Sequence, residues 1–288
     1  MSEISASTVM KLRKMSGQGM MDCKKALTES NGDFEKAIDL LRKKGLSTLS
    51  KRAERETSEG LVVCRTASDG RSAVIASLCS ETDFVARSDD FVAAADKLLD
   101  YAEACAAGKG AESVMETELD GRKFSDVLTE TVSKTGEKIQ IGDFRRFSLG
   151  GCGLIGTYVH FNGKVGTMAL IETSDDKVAG AKNIRQAAAD IAMHITATKP
   201  MALDRDGIDA ATIEREKGIF AEQVKNKPPQ IVEKIVEGKI GKFFAENCLL
   251  EQPFVKDDSK SVGELLSEAA QQAGGKAAIK EFVRFEVG

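Results

Sequence analysis

Thr82-Asp83-Phe84-Val85-Ala86-Arg87 sets a carboxylate beside an aromatic ring, directly after the apolar run Val74-Ile75-Ala76-Ser77-Leu78-Cys79. A large apolar side chain at the end of a strand, next to a charge, suits insertion into another protein rather than bond-making chemistry. Aromatic residues are only 5% of the chain and none is Trp, so a Phe placed among charges is a costly choice. The competing reading is that Phe84 opens a helix and packs into the core. Other chemistry-bearing side chains are few, and His160 and His194 are the only histidines. His160 ends Tyr158-Val159-His160-Phe161, just before Asn162-Gly163, and so sits at a hairpin tip where side chains make contacts. His194 lies in Asp190-Ile191-Ala192-Met193-His194-Ile195, an apolar helix, and reads as a satisfied core or helix-surface histidine. A Cys–His nucleophile pair is formally available through Cys152 or Cys248, but nothing local activates either thiol. There is no G-x-x-x-x-G-K-[ST], G-x-S-x-G, H-E-x-x-H or dinucleotide-binding fingerprint. The expectation is therefore a protein that is not an enzyme, with no catalytic residues, no metal site and no cofactor.

The bulk properties agree with a binding role. The chain has 288 residues, 42% apolar and 30% charged, with formal net charge −4 and a pI near 5.5. That length makes one large or two to three small domains. A nucleic-acid binder would carry a basic domain or stripe, so that partner is disfavoured. No apolar run reaches 18 residues, and Met1-Ser2-Glu3-Ile4 starts neither a signal peptide nor a transit peptide. The six cysteines are dispersed without a C-x-x-C, which points to buried thiols in a reducing cytoplasm.

Residues 1–55 read as three short helices. Ser5 or Ser7 caps the first, which carries Val9, Leu12 and Met15, and Gly17 and Gly19 break it. Asp22 is placed to cap a second helix from Cys23 to Ser30. Asn31-Gly32-Asp33 turns into a third, Phe34 to Lys43, which stops at Gly45; Lys51-Arg52-Ala53-Glu54-Arg55 then reads as a charged linker. From residue 60 the pattern becomes strand-like, with an internal repeat 93 residues apart. Gly60-Leu61-Val62 matches Gly153-Leu154-Ile155, and Asp69-Gly70-Arg71 matches Asn162-Gly163-Lys164. The D-G and N-G pairs predict two-residue hairpin turns with φ above zero at both positions. Ser80-Glu81-Thr82-Asp83 echoes Ile171-Glu172-Thr173-Ser174 across a small deletion, and Ala93-Ala94-Ala95-Asp96 matches Ala187-Ala188-Ala189-Asp190. Each copy thus reads strand, hairpin, strand, acidic loop, helix. Lys123 to Lys134 reads as a helix and Ile139 to Phe147 as a strand. Two charged helices, Ala211 to Lys225 and Gln230 to Glu246, flank Asn226-Lys227-Pro228-Pro229 and form an antiparallel hairpin, either a projecting arm or a packed surface pair. Glu251 to Val255 is extended, Ser261 starts a helix through Ala270, and Phe282 to Val287 is a closing strand.

Together these segments resemble the elongation factor Ts family, nucleotide-exchange factors for the translational GTPase elongation factor Tu. The resemblance spans essentially the whole chain. It rests on Leu12-Arg13 and Gly17-Gln18-Gly19-Met20-Met21-Asp22-Cys23-Lys24-Lys25-Ala26-Leu27, on Thr82-Asp83-Phe84-Val85-Ala86-Arg87, and on Ile191-Ala192-Met193-His194. Val236-Glu237-Gly238-Lys239, Gln252-Pro253-Phe254-Val255 and Arg284-Phe285-Glu286-Val287 complete it. It implies an α+β protein: a ubiquitin-associated-like three-helix bundle at 1–55, a core N-subdomain at 56–150, a core C-subdomain at 151–204 and 248–288, and a helical hairpin (coiled-coil) arm at 205–247. Partner contacts would fall on Arg13, Met20, Met21 and Lys24 in the bundle and on Asp83, Phe84, His160 and Val255 in the core. The magnesium-dislocating segment of the family matches Thr82, Asp83, Phe84 and Val85. Two departures stand out. The chain ends just after Arg284-Phe285-Glu286-Val287, without the C-terminal helical module of some members, and Thr135 stands where some carry an apolar contact. The resemblance implies a cytoplasmic protein that binds elongation factor Tu, GDP-bound and nucleotide-free, with no nucleic acid or membrane partner. It is compatible with a homodimer or a 2:2 complex. The alternatives are a ubiquitin-associated-type adaptor without exchange activity and a cysteine hydrolase.

Overall fold

A computed structural model describes residues 4–288, an α+β fold that begins with α1 (Ala6–Ser16), α2 (Met20–Glu29) and α3 (Phe34–Lys51). Ser5 caps α1 by accepting the Thr8 N–H at 3.2 Å, and Gly17, left-handed at φ 67°, ends it. Two sequence expectations fail here. Helix α2 starts at Met20 rather than Cys23, because Gly19 occupies the cap position. Asp22 instead lies in the first turn, where its charge favours the helix dipole and pairs with Lys44 at 2.7 Å. Helix α3 does not stop at Gly45 but runs on to Lys51. The glycine is retained because its bare Cα lies against the backbone oxygen of Thr129, where any side chain would clash. The glycine that weakens α3 by about 1 kcal/mol is thus the one that lets it dock. The 51–55 segment is also tied down: Arg52 meets Glu81 at 2.7 Å, and Lys138 Nζ donates to the carbonyls of Ala53 and Arg55 at 2.7 and 3.0 Å.

Then come β1 (Glu59–Thr66), β2 (Ser72–Ser80), α4 (Asp83–Ala86), α5 (Asp89–Ala104), α6 (Ala111–Glu116), β3 (Glu118–Leu119), β4 (Arg122–Lys123), α7 (Phe124–Thr135) and β5 (Ile139–Ser148). A second run follows with β6 (Gly153–Val159), β7 (Val165–Thr173), α8 (Asp176–Gly180), α9 (Lys182–Thr198), α10 (Ala210–Gln223), α11 (Pro229–Asn247), β8 (Pro253–Phe254), β9 (Asp257–Ser261), α12 (Val262–Gln272) and β10 (Ala277–Glu286). The antiparallel sheets are ordered β1-β2-β5 and β6-β7-β10. Val62, Ile75, Phe147, Ile155, Met168 and Val287 fill the space between them, while α5 and α7 cover one outer face and α9 and α12 the other. Covered on both sides, β2 is buried at every position from Ala73 to Ser80, which is why its sequence reads as a continuous apolar run.

The duplication is present and runs deeper than the short sequence matches. Gly60 opposes Cys79 and Gly153 opposes Glu172, and at both sites a side chain would collide with the facing strand. Asp69 accepts the Arg71 N–H at 2.9 Å, and Asn162 accepts the Lys164 N–H at 3.0 Å. These turns are not two-residue hairpins, however. Only Gly70 and Gly163 have positive φ, and Gly163 N–H bonds back to the His160 carbonyl at 2.8 Å across a longer loop. The two-residue turn with both φ positive is instead Asp120-Gly121, between β3 and β4. The expected deletion between the copies is absent, since the register holds the 93-residue spacing: Ser80 opposes Ile139 as Thr173 opposes Ala277, and Thr82 caps α4 as Asp175 caps α8.

Helices α10 and α11 are inserted between α9 and β8. No residue of α10 is buried, and α11 buries only Ile240 and Phe244, against Ala202, Ile208 and Cys248 at its base. Among the described residues, no helix is long and apolar enough to cross a membrane.

Candidate functional site

Helix α4 is a single turn, and its brevity decides what Phe84 does. Thr82 is the extended N-cap, with its hydroxyl accepting the Val85 N–H at 3.3 Å. Ala86 is buried and Val85 packs on the core. The opposite side of so short a helix has nothing to lie against, so Phe84 is 83% exposed. A ring left in water forgoes about 1.5–3 kcal/mol of burial, so the reading of Phe84 as a core residue does not hold. Beside it Asp83 is half-exposed and pairs loosely with Arg87 at 3.3 Å, one helical turn on. An exposed pair of this kind is worth only about 0.3–0.5 kcal/mol, so the carboxylate is readily redirected.

Carboxylates hold the segment from behind. Glu137 accepts the Thr82 N–H at 3.0 Å and its hydroxyl at 2.7 Å. Glu81 takes Arg52 and the Lys138 N–H, the latter at 2.7 Å. Burial pushes the Glu81 carboxyl upward, but the Lys138 N–H and Arg52 outweigh it and hold the acid below its ordinary value.

His160 lies at the same end of the facing sheets. Its ring Nδ1 is 3.1 Å from the Tyr158 hydroxyl, and its ring packs at 4.3 Å on Phe161, itself 92% exposed. The loop that follows is anchored to the first sheet: Gly163 accepts the Val62 N–H at 2.7 Å and Lys164 pairs with Glu59, which opposes Ser80 just before Thr82. The Gly-rich turn of the bundle approaches the same region. Gly17 lies against the Lys134 side chain, and Lys134 reaches Asp90 at the start of α5. Arg13, Met20, Met21 and Lys24 are all exposed near this turn, Met21 at 72%. Gln18 within it is buried, its amide oxygen 3.1 Å from the Ser133 hydroxyl of α7.

Val255 lies elsewhere, in the turn between β8 and β9, 51% exposed. Its N–H donates to His194 Nδ1 at 3.2 Å, so His194 carries its proton on Nε2 and donates it to Gln252 at 2.9 Å. Burial lowers the pKa of His194, opposed by Gln252. Thr135, on the last turn of α7, is half-buried, and its hydroxyl donates to the Thr131 carbonyl at 2.9 Å.

The cysteine reading has no support in the electrostatics. Buried Cys248 is pushed up to about 11 by desolvation, and Asp176 raises Cys152 by hydrogen bonding and charge, the opposite of thiolate activation. Among the described residues, no cluster of His, Cys, Asp or Glu could hold a metal ion.

Sequence reading missed Glu137 and Gln18. Both act across large separations, on Thr82 and Ser133, and leave no local signal in the chain.

A family model described as elongation factor TS matches residues 81–288. Among curated relatives, elongation factor Ts of a Nitratiruptor species is 42% identical, over 99% of this chain and 93% of that protein. Elongation factor Ts of Lawsonia intracellularis is 40% identical over 99% of both chains. That of Prosthecochloris aestuarii is 43% identical over the full length of both.

Proposed function

The chain belongs to the elongation factor Ts family of translation elongation factors, and from that premise we propose that it is a guanine nucleotide exchange factor for the GTPase elongation factor Tu. The observation that carries the reading is Phe84, a fully presented ring on a one-turn helix with a redirectable carboxylate beside it.

The mechanism is linkage. GDP and Mg²⁺ on a GTPase hold each other through phosphate oxygens and water. A protein that binds the nucleotide-free conformation more tightly must weaken nucleotide binding by the same factor. Phe84 enters a cleft of the partner and shifts the elements that line it, recovering there the burial it lacks when free. Asp83 leaves Arg87 and competes for the water and cation network around the metal, with Thr82 and Val85 setting the geometry of the turn. His160 and Val255 hold the partner at separate points, and Arg13, Met20, Met21 and Lys24 hold it through the bundle. We assign these tasks to four units: the bundle at 1–55, subdomains at 56–150 and at 151–204 with 248–288, and the arm at 205–247. No covalent step is required, and the reading places the protein in the cytoplasm with its partner.

The test mixes the protein, at substoichiometric amounts, with elongation factor Tu carrying fluorescent GDP and excess unlabelled GDP. The expected result is accelerated loss of fluorescence with turnover. Binding without acceleration would return the protein to the adaptor reading, and no effect at equimolar protein would sink the exchange reading altogether.

A further inference from the structure

We propose that Glu137 is the positioning residue of the Phe84 segment: its carboxylate takes both donors of Thr82 and so fixes the backbone that presents the ring. The inference rests on the exchange reading above.

The geometry begins where two strands part. Ser80 opposes Ile139 as the last pair of the β2–β5 ladder. Continued, the register would set Glu81 against Lys138 and Thr82 against Glu137. Side-chain carboxylates take a backbone donor at both positions. The Lys138 N–H goes to the Glu81 carboxylate at 2.7 Å, and the Thr82 N–H to the Glu137 carboxylate at 3.0 Å. The exchange lets the chain turn into α4 while the Lys138 and Thr82 N–H groups stay paired. The Thr82 hydroxyl donates to Glu137 at 2.7 Å, which directs its lone pairs at the Val85 N–H and sets the helix cap. The Thr82 carbonyl accepts the Ser80 hydroxyl at 3.0 Å and the Ala86 N–H at 3.1 Å. Every polar group of Thr82 is engaged, so the direction of Phe84, two residues on, is set before any partner arrives. Such pre-organisation removes an ordering cost from the step in which the seated ring shifts the partner's elements.

The second copy supplies a control within the same chain. By register, Thr82 corresponds to Asp175, Phe84 to Lys177, and Gly136-Glu137 to Gly274-Gly275. Gly136 and Gly274 are both left-handed, at φ 74° and 84°, so the backbones correspond. In the second copy the Ser174 N–H bonds to the Lys276 carbonyl at 2.9 Å and the Lys276 N–H to the Ser174 hydroxyl at 3.2 Å, so Ser174 does there what Glu81 does here, and the copies differ at the position of Glu137. At Gly275 a side chain would strike Ser174 and Val178. The copy without an exposed ring has no carboxylate at this position, and the copy with Phe84 has Glu137.

The experiment compares wild type, Glu137→Ala, Glu137→Gln, Phe84→Ala and Phe84→Ala combined with Glu137→Ala. For each, the maximal rate and half-saturation of GDP release from elongation factor Tu, the melting temperature and amide exchange over residues 80–88 are measured. Glu137→Ala is expected to lower the maximal rate roughly tenfold, the loss of about one charge-assisted hydrogen bond. Half-saturation should change less than about twofold, and amide exchange over 80–88 should quicken. Glu137→Gln keeps the shape but loses the charge and one acceptor, so it should fall between wild type and Glu137→Ala. It carries the test if the alanine variant fails to fold. In the Phe84→Ala background, Glu137→Ala should change the rate little, because the ring it positions is gone. An unchanged rate in both Glu137 variants would overturn the positioning role while leaving the exchange reading intact. An equal loss with and without Phe84 would reduce Glu137 to a structural support. A wild type that does not accelerate GDP release would overturn the exchange reading, and this proposal with it.

Discussion

The backbone N–H of Val255 donates to the ring Nδ1 of His194 at 3.2 Å, joining the exposed β8–β9 turn to a fully buried histidine on α9. The ring closes a short chain of bonds, since its Nε2–H goes on to Gln252 at 2.9 Å, whose amide in turn donates to the Glu246 carbonyl at 2.8 Å. The buried histidine thereby anchors the turn that carries Val255.

That arrangement makes stability depend on pH. His194 must be neutral to accept from Val255, and burial lowers its pKa below the ordinary 6.5. The folded state therefore binds fewer protons than the unfolded state between the lowered value and 6.5. The contribution of His194 is complete above pH 6.5 and is lost as pH falls below it. The melting temperature of wild type should drop as pH is lowered from 7 to 5.5. In His194→Asn the overall melting temperature should be lower, by about 2–4 kcal/mol of stability, with less of this pH slope. Equal slopes in the two proteins would refute the assignment.

Phe84→Ala should separate function from folding. Removing an 83%-exposed ring costs little burial, so the melting temperature should move by no more than about 2 °C. Loss of an interface anchor costs about 2–4 kcal/mol, or more than tenfold in the exchange rate at fixed concentration. A large fall in melting temperature would show that the ring packs internally in solution.

Gly45→Ala should invert the usual helix rule. In an exposed helix interior the change would stabilise by about 1 kcal/mol. Here the methyl group would press on the Thr129 carbonyl and part α3 from α7. The expected outcome is lower stability, with amide protection lost first in α3 and in the Arg42–Asp126 region that the docking holds. A stabilised variant with unchanged protection would mean that the bundle does not dock in this way in solution.

The thiols should be inert. Burial pushes Cys64 up to about 12 and Cys248 to about 11, Cys79 is raised by burial and Cys152 by Asp176, and Cys23 and Cys105 are buried. A thiol reagent at pH 8 should label all six quickly in urea and none at comparable speed in the native protein. One fast native thiol would contradict this electrostatic picture.

Local patterns carried much of the architecture. The Ser5, Asp33 and Ser261 caps, the two-copy strand pattern and the Pro228-Pro229 break are all legible because each is a backbone signal confined to a few neighbouring residues. The errors share one cause. Gly45 reads as a helix stop because propensity weighs the residue alone, and the docked α7 overrides it. Asp69-Gly70 reads as a two-residue turn because the dipeptide permits it, whereas Asp120-Gly121 is where the strands close tightly enough to require it.

Residue type and order, by themselves, determined the family and the α+β class and singled out Thr82 to Val85 as the segment we propose as the site, since those depend on which side chains occur and in what sequence. Whether Phe84 faces core or water was decided only in three dimensions. That choice turns on the length of α4, on the burial of Val85 and Ala86, and on a carboxylate 55 residues away at Glu137. The pairing of Thr82 with Glu137 arises because β2 and β5 end side by side, and strand register is a property of the folded chain that no single segment encodes.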